Sequence, residues 1–182
     1  MRKHGKVTVF CGPMFASKST HLLAALNRAQ YAKKKVALYK PALDNRYSEE
    51  SVVTHDKVSF SAFPVYKSWD ISEHYLEHPV DVVGIDEAQF LDDYLLNVIG
   101  ILTAHGSDVY VACLDRTSDN EPFGPVPALL TYADYVHKLK AVCVVCGEDA
   151  AFSFRTASSE DTVMIGGADK YEARCFSCWS QK

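Results

Sequence analysis

The sequence predicts an α/β fold, a parallel sheet flanked by helices, followed by a small C-terminal β module. Two observations carry this. Up to residue 140, short β-branched runs alternate with stretches of helical apolar spacing, the signature of βαβ units whose sheets are covered on both faces. Beyond that point helical periodicity stops, and two Cys-x-x-Cys pairs frame short strand-like pieces. The expected division is 1–140 and 141–182, one domain of ordinary size with an appendage.

Each element has its own warrant. Residues 6–10 (KVTVF) form a buried strand that runs into the turn Cys11-Gly12-Pro13. A helix is predicted over 18–35, where Leu22, Ala25, Leu26 and Ala29 recur at helical spacing and Lys33-Lys34-Lys35 suits the negative end of the helix dipole. Residues 36–40 (VALYK), 80–86 (VDVVGID) and 108–115 (DVYVACLD) are the next strands, nearly continuous apolar runs as buried parallel strands require. A helix over 92–105 carries Leu95, Leu96, Ile99 and Leu102 on one face. Two polar segments, 42–56 and 116–125, are too long for tight α/β connections and are expected to be loops that carry ligands or are mobile. In the C-terminal module, 150–156 and 162–165 are strand-like.

Composition narrows the function. With 19 Lys+Arg against 23 Asp+Glu, the chain has a formal charge of −4. That argues against a protein that coats nucleic acid, which needs a basic excess. No apolar run approaches the ~18–20 residues of a membrane span, and residues 1–6 lead into a strand rather than a signal-peptide core. A cytoplasmic protein with neither membrane nor nucleic-acid partner is expected. In a reducing compartment, the six cysteines serve packing, catalysis or metal binding rather than disulfides.

Gly12-Pro13-Met14-Phe15-Ala16-Ser17-Lys18-Ser19 lies between the first strand and the first helix. It fits G-x-x-x-x-G-K-[S/T], with Ser17 where the second glycine normally stands. Such a loop aims backbone N–H groups at phosphate oxygens from the positive end of a helix. Lys18 would bridge the β- and γ-phosphates and the Ser19 hydroxyl would ligate Mg²⁺. If position 17 needs positive φ, its serine costs about 1–2 kcal/mol. A Gly-Pro turn before a helix that begins Ser-Lys-Ser is the plain alternative.

The apolar strand at 82–85 ends in Asp86-Glu87-Ala88-Gln89-Phe90. A parallel strand delivers these carboxylates to the edge of the sheet that holds the phosphate loop. Asp86 is then placed for the Mg²⁺ shell and Glu87 for the reacting group, as base toward an attacking alcohol or toward water. A strand-end Asp-Glu is equally a helix cap with a first-turn acid.

Cys143-Val144-Val145-Cys146 and Cys175-Phe176-Ser177-Cys178 have the doubled spacing of a closed tetrahedral Zn²⁺ site. A redox role is disfavoured, since one pair would suffice and neither is expected to begin a helix after a strand. Zinc here would close the ends of the segment 147–174 and stiffen it. Cys11 and Cys113, at strand ends, are expected to be packing residues, and the seven histidines show no ligand spacing.

These segments, with Asp44-x-Arg46-Tyr47, Thr54-His55-Asp56, Pro122-Phe123-Gly124 and Ile165-Gly166-Gly167-Ala168-Asp169-Lys170-Tyr171, resemble the cytosolic-type (type II) thymidine kinases over residues 12–178. The resemblance implies a P-loop (RecA-like) nucleotide-binding domain and a zinc-ribbon domain carrying a lasso loop. It implies transfer of the ATP γ-phosphate to the 5′-hydroxyl of thymidine or deoxyuridine, a homotetramer, and feedback inhibition by dTTP. By motif position Glu87 corresponds to the catalytic base, and Gly12–Ser19, Asp44, Asn45, Arg46, Asp86, Glu87, Ala88 and Gln89 to the ATP-contacting segments. Met14, Phe90, Leu114, Ser118, Phe123 and Ser153 fall at nucleoside-pocket positions, and Thr162, Val163, Met164, Ile165, Gly166 and Tyr171 in the lasso. The family usually has Phe where this chain has Ser118, so packing on base or sugar is expected to weaken unless another aromatic compensates.

Overall fold

The computed structural model describes residues 4–42, 51–53, 59–156 and 169–181. Its centre is a seven-stranded sheet in the order β3-β4-β2-β5-β6-β1-β7. The strands are β1 (Val7–Cys11), β2 (Val36–Pro41), β3 (Ser51–Val53), β4 (Ser59–Val65), β5 (Val82–Ile85), β6 (Asp108–Cys113) and β7 (Tyr135–Lys138). Six run parallel, and β3 pairs antiparallel to β4 at the edge. The central strands are apolar on both faces, as a doubly covered sheet requires.

Alternation along each strand divides the core. Val9, Cys11, Tyr39, Val83, Ile85, Val109, Val111 and Cys113 meet helices α2 (Ser68–Glu77), α3 (Leu95–Ala104) and α4 (Val126–Tyr132). Phe10, Leu38, Val82 and Ala112 face Leu22, Leu23 and Leu26 of α1 (Lys18–Tyr31). Helix α1 sits close because β5 has Gly84 beneath it: a Cβ there would come within 2.6 Å of Leu26 Cδ1. The helix stops at Tyr31 rather than continuing to 35, since Lys33 turns left-handed (φ 60°) and the Lys35 carbonyl is taken by the N–H groups of Asp81 and Val82.

The predicted strands and helices appear with shifted ends, for local reasons. Residue 114 leaves the β6 ladder because its N–H donates to the Gln89 side chain. Helix α3 begins at Leu95, whose N–H bonds the Asp92 carbonyl. The segment 42–56 is not loop throughout, since Ser51–Val53 is strand β3. Loop 116–125 closes on itself through an Arg116–Pro122 bridge and the bond Thr117 N–H to Glu121 O, 2.8 Å. After the main sheet come two small antiparallel pairs, β8 (Ala141–Val142) with β9 (Asp149–Ala150) and β10 (Phe152–Arg155) with β11 (Tyr171–Arg174), and the short helix α5 (Phe176–Trp179). The predicted strand at 162–165 lies outside the described residues.

Asp92 links two helices, with Oδ2 accepting the Ser68 N–H that opens α2 (3.0 Å) and Oδ1 accepting the Tyr94 N–H before α3 (3.0 Å). Burial works to raise this carboxyl, but the N–H and hydroxyl of Ser68 and the N–H of Tyr94 outweigh it and hold its pKa low. Asp92→Ala is therefore expected to lower stability by about 1 kcal/mol, the usual weight of a lost cap, read as a shifted urea midpoint at pH 7. A depressed folded pKa means that this contribution is full above the unfolded value of about 3.9 and fades as pH falls through the folded value. Wild type and variant should then converge in acid.

Candidate active site

Three adjacent parallel strands, β5, β6 and β1, end together, with Ile85 beside Val111 and Cys113 beside Cys11. The phosphate loop leaves β1, Asp86 and Glu87 leave β5, and Leu114 leaves β6, so register alone gathers the predicted residues at one edge. The loop turns through residues of positive φ: Gly12 at 143°, Phe15 at 66° and Ser17 at 57°. Position 17 is the N-cap of α1 in the left-handed conformation, and no side-chain cap bond and no first-turn acid occupy that helix end. Its N–H groups and partial positive charge are thus available to an anion. Since the left-handed region costs serine about 1–2 kcal/mol and glycine costs flexibility when unfolded, Ser17→Gly should raise stability by roughly 0.5–1 kcal/mol, measured by thermal denaturation without nucleotide.

Lys18 Nζ donates to the Pro13 carbonyl at 2.8 Å, curling over its own loop. Loss of solvent lowers the pKa of this ammonium, and the Glu87 and Asp86 carboxylates pull against the shift. Ser19 Oγ donates to Asp86 Oδ1 at 3.0 Å, so the two expected Mg²⁺ ligands already sit together. Asp86 is buried, and its pKa is pushed up first by burial and then by Glu87, against the Ser19 hydroxyl, the Glu87 N–H and Lys18. A buried carboxylate that resists ionisation is suited to a nearby cation, which would favour its charged form.

Glu87 opens a short 3₁₀ turn, Ala88–Phe90, with its own backbone left-handed at φ 50°. Its Oε2 accepts a hydrogen bond from Gln89 Nε2 at 2.5 Å, while Gln89 Oε1 accepts the Leu114 N–H at 3.0 Å. The backbone N–H can only donate, so it fixes which end of the amide is oxygen and leaves the NH₂ to hold Glu87. Gln89, expected as an ATP contact, is buried and acts here as a clamp between two strand ends. Gly124 allows this packing: its φ is 49°, and a Cβ there would lie 2.6 Å from the Gln89 carbonyl oxygen.

Of the expected pocket positions, Met14, Leu114 and Tyr171 form one apolar cluster with Phe123 packed against it, and Phe90 meets Phe123 edge-on, centroids 5.6 Å apart. Ser153 Oγ accepts the Met14 N–H at 3.0 Å. Ser118 is buried, its hydroxyl accepting from Arg155 and its carbonyl from Trp179. Neither of those two partners is a sequence-predicted site residue. Asp44, Asn45, Arg46 and Thr162 through Gly166 lie outside the described residues.

The cysteine quartet is assembled. The four Sγ atoms of Cys143, Cys146, Cys175 and Cys178 lie within 4.8 Å of one another, with Cys146 and Cys175 at 3.6 Å. Tetrahedral Zn²⁺ with Zn–S near 2.3 Å places sulfurs about 3.8 Å apart, so the site fits that metal. Protonation points the same way. Burial tends to raise Cys143, but backbone N–H groups of Cys175, Cys146 and Val145 outweigh it and bring the thiol to about 6, while hydrogen bonding with Cys175 first, then burial, pushes Cys178 up to about 12. Sulfurs this close resist becoming thiolates together unless a cation joins them. One supporting expectation fails, since the second pair does begin a helix after a strand, α5 after β11. The metal reading rests instead on four converging sulfurs. Cys11 and Cys113 are fully buried, and burial raises both thiols, as packing residues require.

A parallel sheet with a left-handed turning loop and an uncapped helix after its first strand, and a Ser–Asp pair beside them, defines a P-loop α/β fold. Among solved structures, the flagellar accessory protein FlaH from Methanocaldococcus jannaschii shares this fold, with TM-score 0.53, 12% identity, and coverage of 87% of this chain and 75% of that one. The family model described as thymidine kinase matches residues 5–179. Thymidine kinases of Bacteroides thetaiotaomicron and Porphyromonas gingivalis are each 43% identical, the first over 98% of this chain and 88% of its own, the second over 97% and 86%. The chain belongs to the thymidine kinase family, and is a kinase with a four-cysteine cluster able to hold a structural metal.

Metal analysis of the purified protein should find zinc. Cys175→Ser should abolish that content and lower the melting temperature, since metal binding at such sites is folding free energy.

Proposed function

We propose that the protein transfers the γ-phosphate of ATP to the 5′-hydroxyl of thymidine or deoxyuridine, giving dTMP or dUMP and ADP for DNA precursor synthesis by salvage. The observation that carries this is the Glu87 carboxylate, which follows Asp86 of the Ser19–Asp86 pair and is clamped by the Gln89 amide that also holds Leu114 of the apolar Met14–Leu114–Phe123–Tyr171 cluster. A carboxylate tied both to an anion cradle and to an apolar cluster suits an alcohol carried on a flat neutral group.

ATP is held by the N–H groups of 12–19 and by Lys18, with Asp44, Asn45, Arg46 and the segment 86–89 as further contacts. Ser19 and Asp86 would hold Mg²⁺, which supplies charge neutralisation across the phosphates. Glu87 accepts the 5′-hydroxyl proton as the new P–O bond forms and the bond from the γ-phosphorus to the bridging oxygen breaks, releasing ADP. Gln89 limits where that carboxylate can point. The nucleoside rests on Met14, Phe90, Leu114, Phe123, Ser153 and Tyr171, under a lasso that includes Thr162–Gly166. Residues 1–140 act as the nucleotide domain and 141–182 as the zinc domain, in a cytoplasmic homotetramer inhibited by dTTP. Among the described residues no helix is long and apolar enough to cross a membrane.

A panel of deoxynucleosides with ATP and Mg²⁺ tests the reading. Thymidine- or deoxyuridine-dependent ADP release with matching monophosphate is expected, and failure with both sinks it. Loss of general-base catalysis typically costs about 10²–10⁴-fold, so Glu87→Gln should reduce kcat by at least ~100-fold while ATP affinity stays within about threefold. An unchanged kcat removes Glu87 as the base.

A further inference from the structure

The cysteine module reaches the nucleotide domain at loop 116–125. Ser118, in loop 116–125, is 7% exposed. Its carbonyl accepts Trp179 Nε1–H at 3.1 Å, and its hydroxyl accepts from an Arg155 guanidinium nitrogen at 3.0 Å. Trp179 directly follows Cys178, and its own N–H is bonded to the Cys175 carbonyl at 2.9 Å. Its backbone is therefore set by the second pair of the quartet. Its ring stacks on Phe152, centroids 5.1 Å apart and 27° between planes, and the Arg116 guanidinium lies 4.9 Å from the same Phe152 centroid.

Ser118 lies inside the turn closed by the Arg116–Pro122 bridge, and the residue after that bridge is Phe123, which packs against Met14, Leu114 and Tyr171. A continuous chain of contacts thus leads from Cys175 and Cys178 through Trp179 and Ser118 to one wall of the apolar cluster. A second tie, Ser153 Oγ to the Met14 N–H, holds another wall to the same module.

We propose that Trp179 is a positioning residue: its indole N–H latches loop 116–125 to the zinc module, so that metal occupancy sets the placement of Phe123 in the acceptor pocket. The identity of that acceptor as a nucleoside rests on the proposed function; the latch itself does not. Ser118 then serves as the catch of the latch, with its carbonyl and its hydroxyl both engaged by the module.

Two measurements on the full-length protein decide it. Trp179→Phe keeps a stacking ring and removes the donor. Losing one hydrogen bond of ordinary strength corresponds to about a three- to tenfold rise in KM for thymidine, with kcat and KM for ATP held within about twofold. A KM for thymidine that does not move, or an equal rise in KM for ATP, overturns the proposal. The second readout needs no turnover. The chain has two tryptophans, Trp69 and Trp179, so Trp69→Phe leaves the latch as sole reporter. Chelator-driven zinc loss, verified by metal analysis, should shift its emission to the red, and zinc should restore it. Emission indifferent to verified metal loss overturns the latch even if thymidine proves not to be the acceptor, whereas absence of kinase activity with a metal-sensitive emission would sink only the proposed function.

Discussion

Everything in the site depends on parallel register. Hydrogen bonding aligns β5, β6 and β1 so that Ile85, Val111 and Val9, and then Cys113 and Cys11, stand side by side. Parallel ladders admit no sliding by one residue without sending every apolar side chain to the opposite face, and here both faces are covered by helices. The end of each strand is therefore fixed to well within a side chain's length. Three segments of the candidate site emerge from those three ends, and the Gln89 amide spans two of them. The geometry of the candidate site is thus inherited from core packing, with Gly84 under Leu26 and Val83 and Ile85 under the opposite helices supplying the rigidity.

That arrangement explains why a chain of net negative charge can hold a triphosphate on the proposed reading. The attraction is local: left-handed backbone at Phe15 and Ser17 turns the loop, the uncapped start of α1 faces it, and one ammonium curls over it. Desolvation lowers Lys18 and raises Asp86, and each opposes the other's shift. A group of partly desolvated charges in this state stands ready for a ligand that brings both phosphates and a cation, because such a ligand relieves both penalties together.

How much of this was legible depended on sequence distance. The phosphate loop, the strand ending Asp86-Glu87 and the cysteine pairs are local patterns, each complete within a few residues, and these three fall where the spacing placed them. Even the cost at Ser17 could be stated, conditional on a φ that only the fold reveals. Gln89 was readable as a motif member, yet its part as a clamp was not, because the Leu114 N–H that orients it lies 25 residues away. The ties of Ser118 to Arg155 and Trp179 span 37 and 61 residues and leave no periodic trace. Strand β4, broken in pattern by Pro64, lacks the continuous apolar run of its neighbours. It is tolerated there because β4 lies next to the sheet edge.

The small module makes sense in the same terms. Its two-stranded pairs are short, and among the described residues its buried cluster consists of Ala141, Cys143, Ala150 and Ala173 with Ala16 of the phosphate loop. Alanines offer little hydrophobic free energy, so four sulfurs able to share a metal and contacts with the larger domain matter more for order here. Those contacts fall at Ala16, at Met14 through Ser153, and at Ser118 through Arg155 and Trp179. They are made against the same loops that form the site, and in that arrangement whatever folds the module also sets the walls around the reacting groups.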